Sequence, residues 1–294
     1  MMDNLRGAVL MMGCMAAFTF NDASIKWLAQ DMPTFQVVVL RGVLAIALLV
    51  GLAHVTGALR RPVPRADWGP ALGRSLAEAA AFLPFVLALP HLPLANIVAI
   101  LAAIPLTLTA AGAVFLGERV GWRRWTAIGV GLVGVLLIVR PGMGDFDPWS
   151  LAIVLTVILA TVRDLVTRRL SPAVPNLKIA VLTAVVITLM GGVLTLGETW
   201  ATPTPRQGAV LVFAACCILA AYTFSIGAMR VGEVAVVTPF RYTSMIWGLL
   251  LGFAVFAEVP DATTLLGAAI IAATGIYTLW REARVPQPRA TGPR

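Results

Sequence analysis

The sequence predicts an all-α integral membrane protein of ten transmembrane helices. They form two inverted five-helix repeats, with both termini on the cytoplasmic side. Three observations predict this. First, 59% of the 294 residues are hydrophobic and 12% are charged, against about 45–50% and about 25% in a soluble domain. A soluble chain of this composition would expose apolar surface and aggregate, so the solvent is lipid. Second, the apolar residues fall into ten runs of about 20, the length a helix needs to cross about 30 Å of hydrocarbon. Third, one stretch occurs twice, at a shift of about 140 residues.

In order, the runs are predicted at about 5–27, 34–53, 68–89, 94–117, 122–140, 149–170, 176–196, 207–229, 234–257 and 262–281. Helix one follows the short polar start Met1 to Arg6. No small-residue cleavage site follows it, so it is an uncleaved helix and not a signal peptide. Helix two opens after Pro33, and helix three follows the basic loop Arg60-Arg61-Pro62-Val63-Pro64-Arg65. Helix four carries Pro105, which removes a backbone hydrogen bond and should kink it. Gly117-Glu118-Arg119 ends that helix, and helix five follows at once. Pro141-Gly142-Met143-Gly144-Asp145 separates it from helix six. Pro175 opens helix seven, and Thr202-Pro203-Thr204-Pro205-Arg206 precedes helix eight. Pro239 is expected to loosen the start of helix nine. Helix ten ends near Arg281, ahead of a polar, Pro-rich tail. The resulting division is 1–142 for the first repeat, 143–281 for the second, and 282–294 for a cytoplasmic tail predicted to be disordered.

The repeat is visible in several places. Leu94 to Pro105 and on to Glu118 matches Val234 to Pro239 and on to Glu258. Asn21-Asp22-x-x-x-Lys26 matches Arg163-Asp164-x-x-x-Arg168, Pro33 and Gln36 match Pro175 and Lys178, and Phe82 matches Tyr222. Five is an odd number, so the second half enters from the opposite side. That inverted arrangement supports alternating access around a midplane site. Basic residues set the orientation. Arg60, Arg61, Arg65, Arg119, Arg123, Arg124, Arg168, Arg169 and Arg230 fall on one side; Lys26, Arg140 and Arg206 fall on the other. The first side is therefore cytoplasmic.

Charge inside the bilayer is costly and marks cavities or partners. Glu78 lies near the midplane and Arg41 about seven residues into helix two from the outer side; they either pair with each other or leave Glu78 to Arg74, one turn away. Arg163, Asp164 and Arg241 lie within about two turns of the cytoplasmic face. They form an inner gate, bind a carboxylate, or snorkel to the interface. Asn21 and Asp22, with Lys26, are the mirrored group: an outer gate, a proton site or a solvated helix end. Seven of the eight Trp sit at helix ends or in loops, as an aromatic belt. Trp247 is deep in helix nine, where it either packs or stacks on substrate together with Tyr222 and Phe82. Asn96 and Thr107 are neutral polar candidates, more readily explained by bonds between helices. Pro105 frees backbone groups that would line a cavity.

Other functions are disfavoured. Gly129-Val-Gly131-Leu-Val-Gly134 fits a dinucleotide fingerprint but lies inside an apolar helix, where small residues permit close helix approach. There is no Walker A sequence, so no ATP use is expected. His54 and His91 are isolated, and Cys14, Cys216 and Cys217 fit neither a zinc site nor a disulfide frame. The net charge of +8 lies in loops and reads as topology, not nucleic-acid binding. No cofactor or metal is expected, and the clustered His, acid or Cys groups of a membrane enzyme are missing.

Two halves of five helices, the Asn21-Asp22 pair ending helix one, Leu40-Arg41-Gly42 in helix two, Pro105, and Leu116-Gly117-Glu118-Arg119 together resemble the EamA family of the drug/metabolite transporter superfamily. The resemblance covers nearly the whole chain. The second half departs from it, with Met245 where Pro105 stands and Ala257 ahead of Glu258. The family moves small metabolites without ATP, by alternating access. The resemblance therefore implies a monomeric or weakly dimeric secondary transporter of a bacterial inner membrane, with partners limited to a small-molecule substrate and the lipid bilayer. Its YddG-type branch, which exports aromatic and neutral amino acids, is the favoured likeness. Uptake of a larger metabolite such as S-adenosylmethionine or riboflavin is the alternative.

Overall fold

The computed structural model describes residues 2–118, 120–142, 146–171 and 173–284. Arg119, the residues 143–145 and the tail from 285 onward lie outside the described residues. Among the described residues, ten helices are long and apolar enough to cross a membrane. Helix one spans Met2–Leu28, two Thr34–Val55 and three Trp68–Ala88. Helix four has two parts, Leu94–Leu101 and Ile104–Phe115. Helix five spans Trp122–Val139, six Trp149–Thr167, seven Asn176–Leu194 and eight Pro205–Val231. Helix nine begins as the turn Val234–Val237, tightens into a 3-10 stretch at Thr238–Tyr242, and continues as Thr243–Phe256. Helix ten is Ala262–Arg284.

Proline sets many of these boundaries. Pro33, Pro93 and Pro175 stand immediately before helices two, four and seven. Their fixed φ suits a helix start, and no donor is wasted there. Pro205 occupies the first turn of helix eight. Thr204 and Gln207 cap that turn reciprocally, at 3.3 and 2.8 Å. Pro105 and Pro239 interrupt spans four and nine as expected. Pro105 cannot donate to the carbonyl of Leu101, so the helix stops at 101 and restarts at 104.

Polar contacts sort the loops to two ends of the bundle. Lys178 Nζ donates to the carbonyl of Arg61, Ser171 N–H to Asp67 at 3.1 Å, and Glu233 N–H to Asn4 at 2.9 Å. These mark the end that carries the N-terminus. At the opposite end Gln36 Nε2 donates to Ala201 O at 2.6 Å, and Arg140 meets Asp261. The contacts of Lys178 with Arg61 and of Gln36 with Ala201 join repeat-matched positions.

The helices also exchange partners between the two halves. Helix one packs on eight while helix three packs on six, helix two packs on seven, and helix five packs on ten. The last contact is very close. A Cβ at Gly134 would meet Gly267 O at 2.9 Å, and one at Gly267 would meet Gly134 O at 2.6 Å. The glycine-rich run of helix five therefore serves helix crossing, as expected. Large apolar side chains such as Val133, Leu136, Ile158, Leu189, Val193, Phe253 and Leu266 point outward along the spans, which suits hydrocarbon and not water. Cys216 joins this outer surface, while Cys14 and Cys217 are buried.

Candidate functional site

A central chamber of about 220 Å³ lies among helices one, two, three, four, six, seven and eight. Its charged lining comprises Asp22, Arg41, Glu78 and Arg163, and its aromatic lining Phe18, Phe82, Phe85 and Tyr222. A vestibule of about 450 Å³ shares Asp22, Glu78, Arg163 and Tyr222 with the chamber. It reaches the N-terminal end through Thr167, at the end of helix six, and Arg241, at the start of helix nine. Helices two and seven both take part in this cavity. Helix seven contributes Thr183, Ala184, Ile187 and Thr188.

Of the two partners expected for Glu78, Arg74 is the one that pairs with it. Glu78 does not meet Arg41. It accepts from Arg163 Nη1 at 2.7 Å and from Arg74 Nη2 at 3.1 Å. Arg163 Nε also donates to Asp164 at 2.8 Å, and Arg74 Nη1 donates to Thr183 at 2.7 Å. Arg163 thus joins the midplane Glu78 and does not form an isolated gate with Arg241. Arg41 Nη1 donates to Asn21 Oδ1 at 2.9 Å, and Asn21 Nδ2 donates to Asp22 Oδ1 at 3.0 Å. Arg41 lies 5.7 Å from the ring centroid of Phe82, within cation–π range.

The other named residues divide between wall and scaffold. Tyr222 and Phe82 line the chamber, and Pro105 lines the vestibule. Trp247 lines neither. It packs against Phe20 at 6.3 Å between ring centroids. Asn96 also lines neither and is half-buried near the start of helix four. Thr107 bonds Thr161 across helices four and six at 2.6 Å, the helix-joining role expected of it.

Two ion pairs sit at opposite ends of the cavity, and both join the halves crosswise. Lys26 Nζ contacts Glu258 Oε1 at 2.5 Å and the carbonyl of Leu92. Glu258 Oε2 also accepts the N–H of Leu94 at 2.7 Å. Ile25, Leu28, Leu89, Leu92, Leu94 and Ile97 around this pair are buried, so this end is plugged. At the N-terminal end Arg168 pairs with Glu118. There the side chains are 39% and 43% exposed, against 5% and 19% for Lys26 and Glu258. Phe115 and Leu116 nearby are exposed. The cavity is therefore closed at one end and open towards the other. Each acid matches the other in the repeat, as do the two bases; the partnership itself was not visible in the sequence.

Residues 5–140 match the EamA-like transporter family. The S-adenosylmethionine uptake transporter of Rickettsia conorii is 25% identical over 180 residues, 61% of each chain. The chain thus spans about 61% of the length of that relative. The pseudopaline exporter CntI of Pseudomonas aeruginosa is 25% identical over 92% of this chain and 95% of its own. The riboflavin transporter of Vibrio cholerae is 25% identical over 97% of both. A solved crystal structure of a protein superposes with a TM-score of 0.65 at 20% identity, covering 95% of this chain and 99% of that one. That likeness concerns the fold alone.

Proposed function

Proceeding from an EamA-like transporter domain at residues 5–140, we propose that this protein is a secondary transporter that moves small metabolites by alternating access. In this reading residues 143–281 are an inverted copy of residues 1–142, and the N-terminal end faces the cytoplasm of a bacterial cell. The observation that carries it is the cavity itself. It is charged and aromatic, drawn from both halves, plugged around Lys26–Glu258 and open past Arg168–Glu118. Exchange of the plug between the two ends would expose the same chamber to each side in turn. In the described conformation the open end would be the cytoplasmic one.

The favoured substrates are aromatic and other neutral amino acids, moved outward. The aromatic walls Phe18, Phe82, Phe85 and Tyr222 suit a flat or apolar side chain. The alternative, uptake of S-adenosylmethionine or riboflavin, is favoured by relatives of those names. Counterflow in proteoliposomes tests both. Vesicles loaded with unlabelled solute are offered labelled tryptophan, phenylalanine, threonine, S-adenosylmethionine or riboflavin. Accumulation of the amino acids is expected. Accumulation of S-adenosylmethionine or riboflavin alone would replace the favoured substrate, and no counterflow of any solute would overturn the carrier.

A further inference from the structure

We propose that Asn21 is a spacer that keeps Asp22 and Arg41 from neutralising each other, so that the chamber selects ligands bearing an ammonium and a carboxylate together. The proposal rests on the carrier reading and deepens it. Glu78 is occupied by two guanidinium groups, and Asp164 is occupied by Arg163. Arg163 and Arg74 are correspondingly spent. Asp22 and Arg41 remain, and among the described residues no direct ion pair joins them. The Asn21 amide stands between, accepting from Arg41 at 2.9 Å and donating to Asp22 at 3.0 Å. An amide has no charge and cannot discharge either neighbour by proton transfer.

Arg41 carries the second observation. It is only 6% exposed, yet its Nε has no hydrogen-bond partner. A buried charged donor left unbonded is costly, and here it belongs to a side chain that lines the chamber. Nη1 is taken by Asn21 and Nε is buried without a partner, so the guanidinium keeps an unsatisfied donor in the chamber wall. A carboxylate meets a guanidinium through two parallel hydrogen bonds. Asp22, whose Oδ1 takes the amide, has its other oxygen for an ammonium. Phe18, Phe82 and Tyr222 would surround the remainder of the ligand. Amino acids and S-adenosylmethionine carry both groups; an isoalloxazine does not. The two acids and three bases at Glu78, Asp164, Arg74, Arg163 and Arg241 would then set the shape and field of the approach.

The test measures binding to the purified full chain, separately from transport. L-tryptophan is compared with its methyl ester, which keeps the ammonium, and with indole-3-propionate, which keeps the carboxylate. Each analogue is expected to bind about 10–100-fold more weakly than tryptophan. Arg41→Gln should erase the penalty for the ester, and Asp22→Asn the penalty for indole-3-propionate. Asn21→Asp, nearly isosteric, should give Arg41 a charged partner and weaken tryptophan binding with the melting temperature kept. Equal binding of the three compounds, or unchanged affinity in Asn21→Asp, would overturn the proposal. Should tryptophan not bind, S-adenosylmethionine replaces it as the zwitterion. Failure of both, with riboflavin still showing counterflow, would sink the zwitterion site and leave the carrier standing. Failure of every counterflow assay would instead remove the carrier.

Discussion

Lys26 and Glu258 meet at 2.5 Å although 232 residues separate them in the chain. The acid comes from the end of helix nine and the base from the end of helix one. Lys26 is 4% exposed, so its charge depends on this partner. Glu258→Gln keeps the shape and the bond to Leu94 but leaves the ammonium without a counter-ion. Removing one member of a buried pair costs about 3–5 kcal/mol. A large drop in melting temperature in detergent is expected, together with faster labelling of a cysteine placed at the buried Leu28. Normal melting and labelling would deny this pair a sealing role.

Glu118→Gln tests the matched pair and should do much less to stability. Its partner Arg168 and Glu118 itself are about two-fifths exposed, and exposed pairs contribute about 0–1 kcal/mol. Added salt should narrow the difference between wild type and Glu118→Gln while leaving Glu258→Gln unaffected. Equal salt sensitivity in both variants would contradict the unequal burial.

Glu78→Gln should destabilise the fold and abolish transport together. It strips Arg163 and Arg74 of their shared carboxylate in the middle of the bundle. Arg163→Lys should also fail, because one ammonium cannot reach Glu78 and Asp164 as the forked guanidinium does. Transport near wild-type rate by Arg163→Lys would show that the fork is not needed.

Tyr222→Ala and Phe82→Ala should raise the KM for aromatic substrates by about tenfold, consistent with stacking of about 0.5–1.5 kcal/mol plus lost burial. Trp247→Ala should lower the melting temperature with KM little changed, because the ring packs on Phe20 away from the lining. Counterflow measured over a substrate series separates the two effects.

Asp261 caps helix ten outside the span. The Thr264 N–H, at 2.8 Å, is the main cause holding its carboxyl down to about 2, with Thr263 and Arg140 assisting. A depressed carboxyl stabilises the fold above its ordinary value near 3.8 and loses that contribution as pH falls towards 2. Melting temperature should therefore fall between about pH 4 and pH 2 more steeply in wild type than in Asp261→Asn. Parallel curves would remove Asp261 from the acid response.

Much of the fold was legible because hydropathy reports directly on span length, and because proline marks helix starts and breaks. Pro105 and Pro239 acted where expected. The site was legible in depth and less so in direction. Rise per residue put Glu78 near the midplane and Arg41 and Trp247 well inside their spans, but depth does not say which way a side chain faces. Trp247 turned to Phe20, and Glu78 took Arg74, one of its two expected partners, together with Arg163. The length of arginine misled further: Arg163 sits nearer the N-terminal end than Glu78 yet reaches it. Helix seven left no signal, since Thr183 and Thr188 in an apolar run look like any threonine bonded to its own helix, as Thr188 is to Ala184. The crosswise pairs had a signal in the matched acids and bases, but matching alone does not reveal that each acid serves the other repeat.

That exchange of partners bears on how the chain assembles. If the polypeptide were cut after Gly142, one fragment would carry Lys26 and Glu118 and the other Arg168 and Glu258. Each would keep one acid and one base at opposite membrane faces, with no counter-ion in reach. Neither fragment would hold both helices of the Gly134–Gly267 crossing. The two pieces would be obligate complements, each supplying the counter-ions the other lacks.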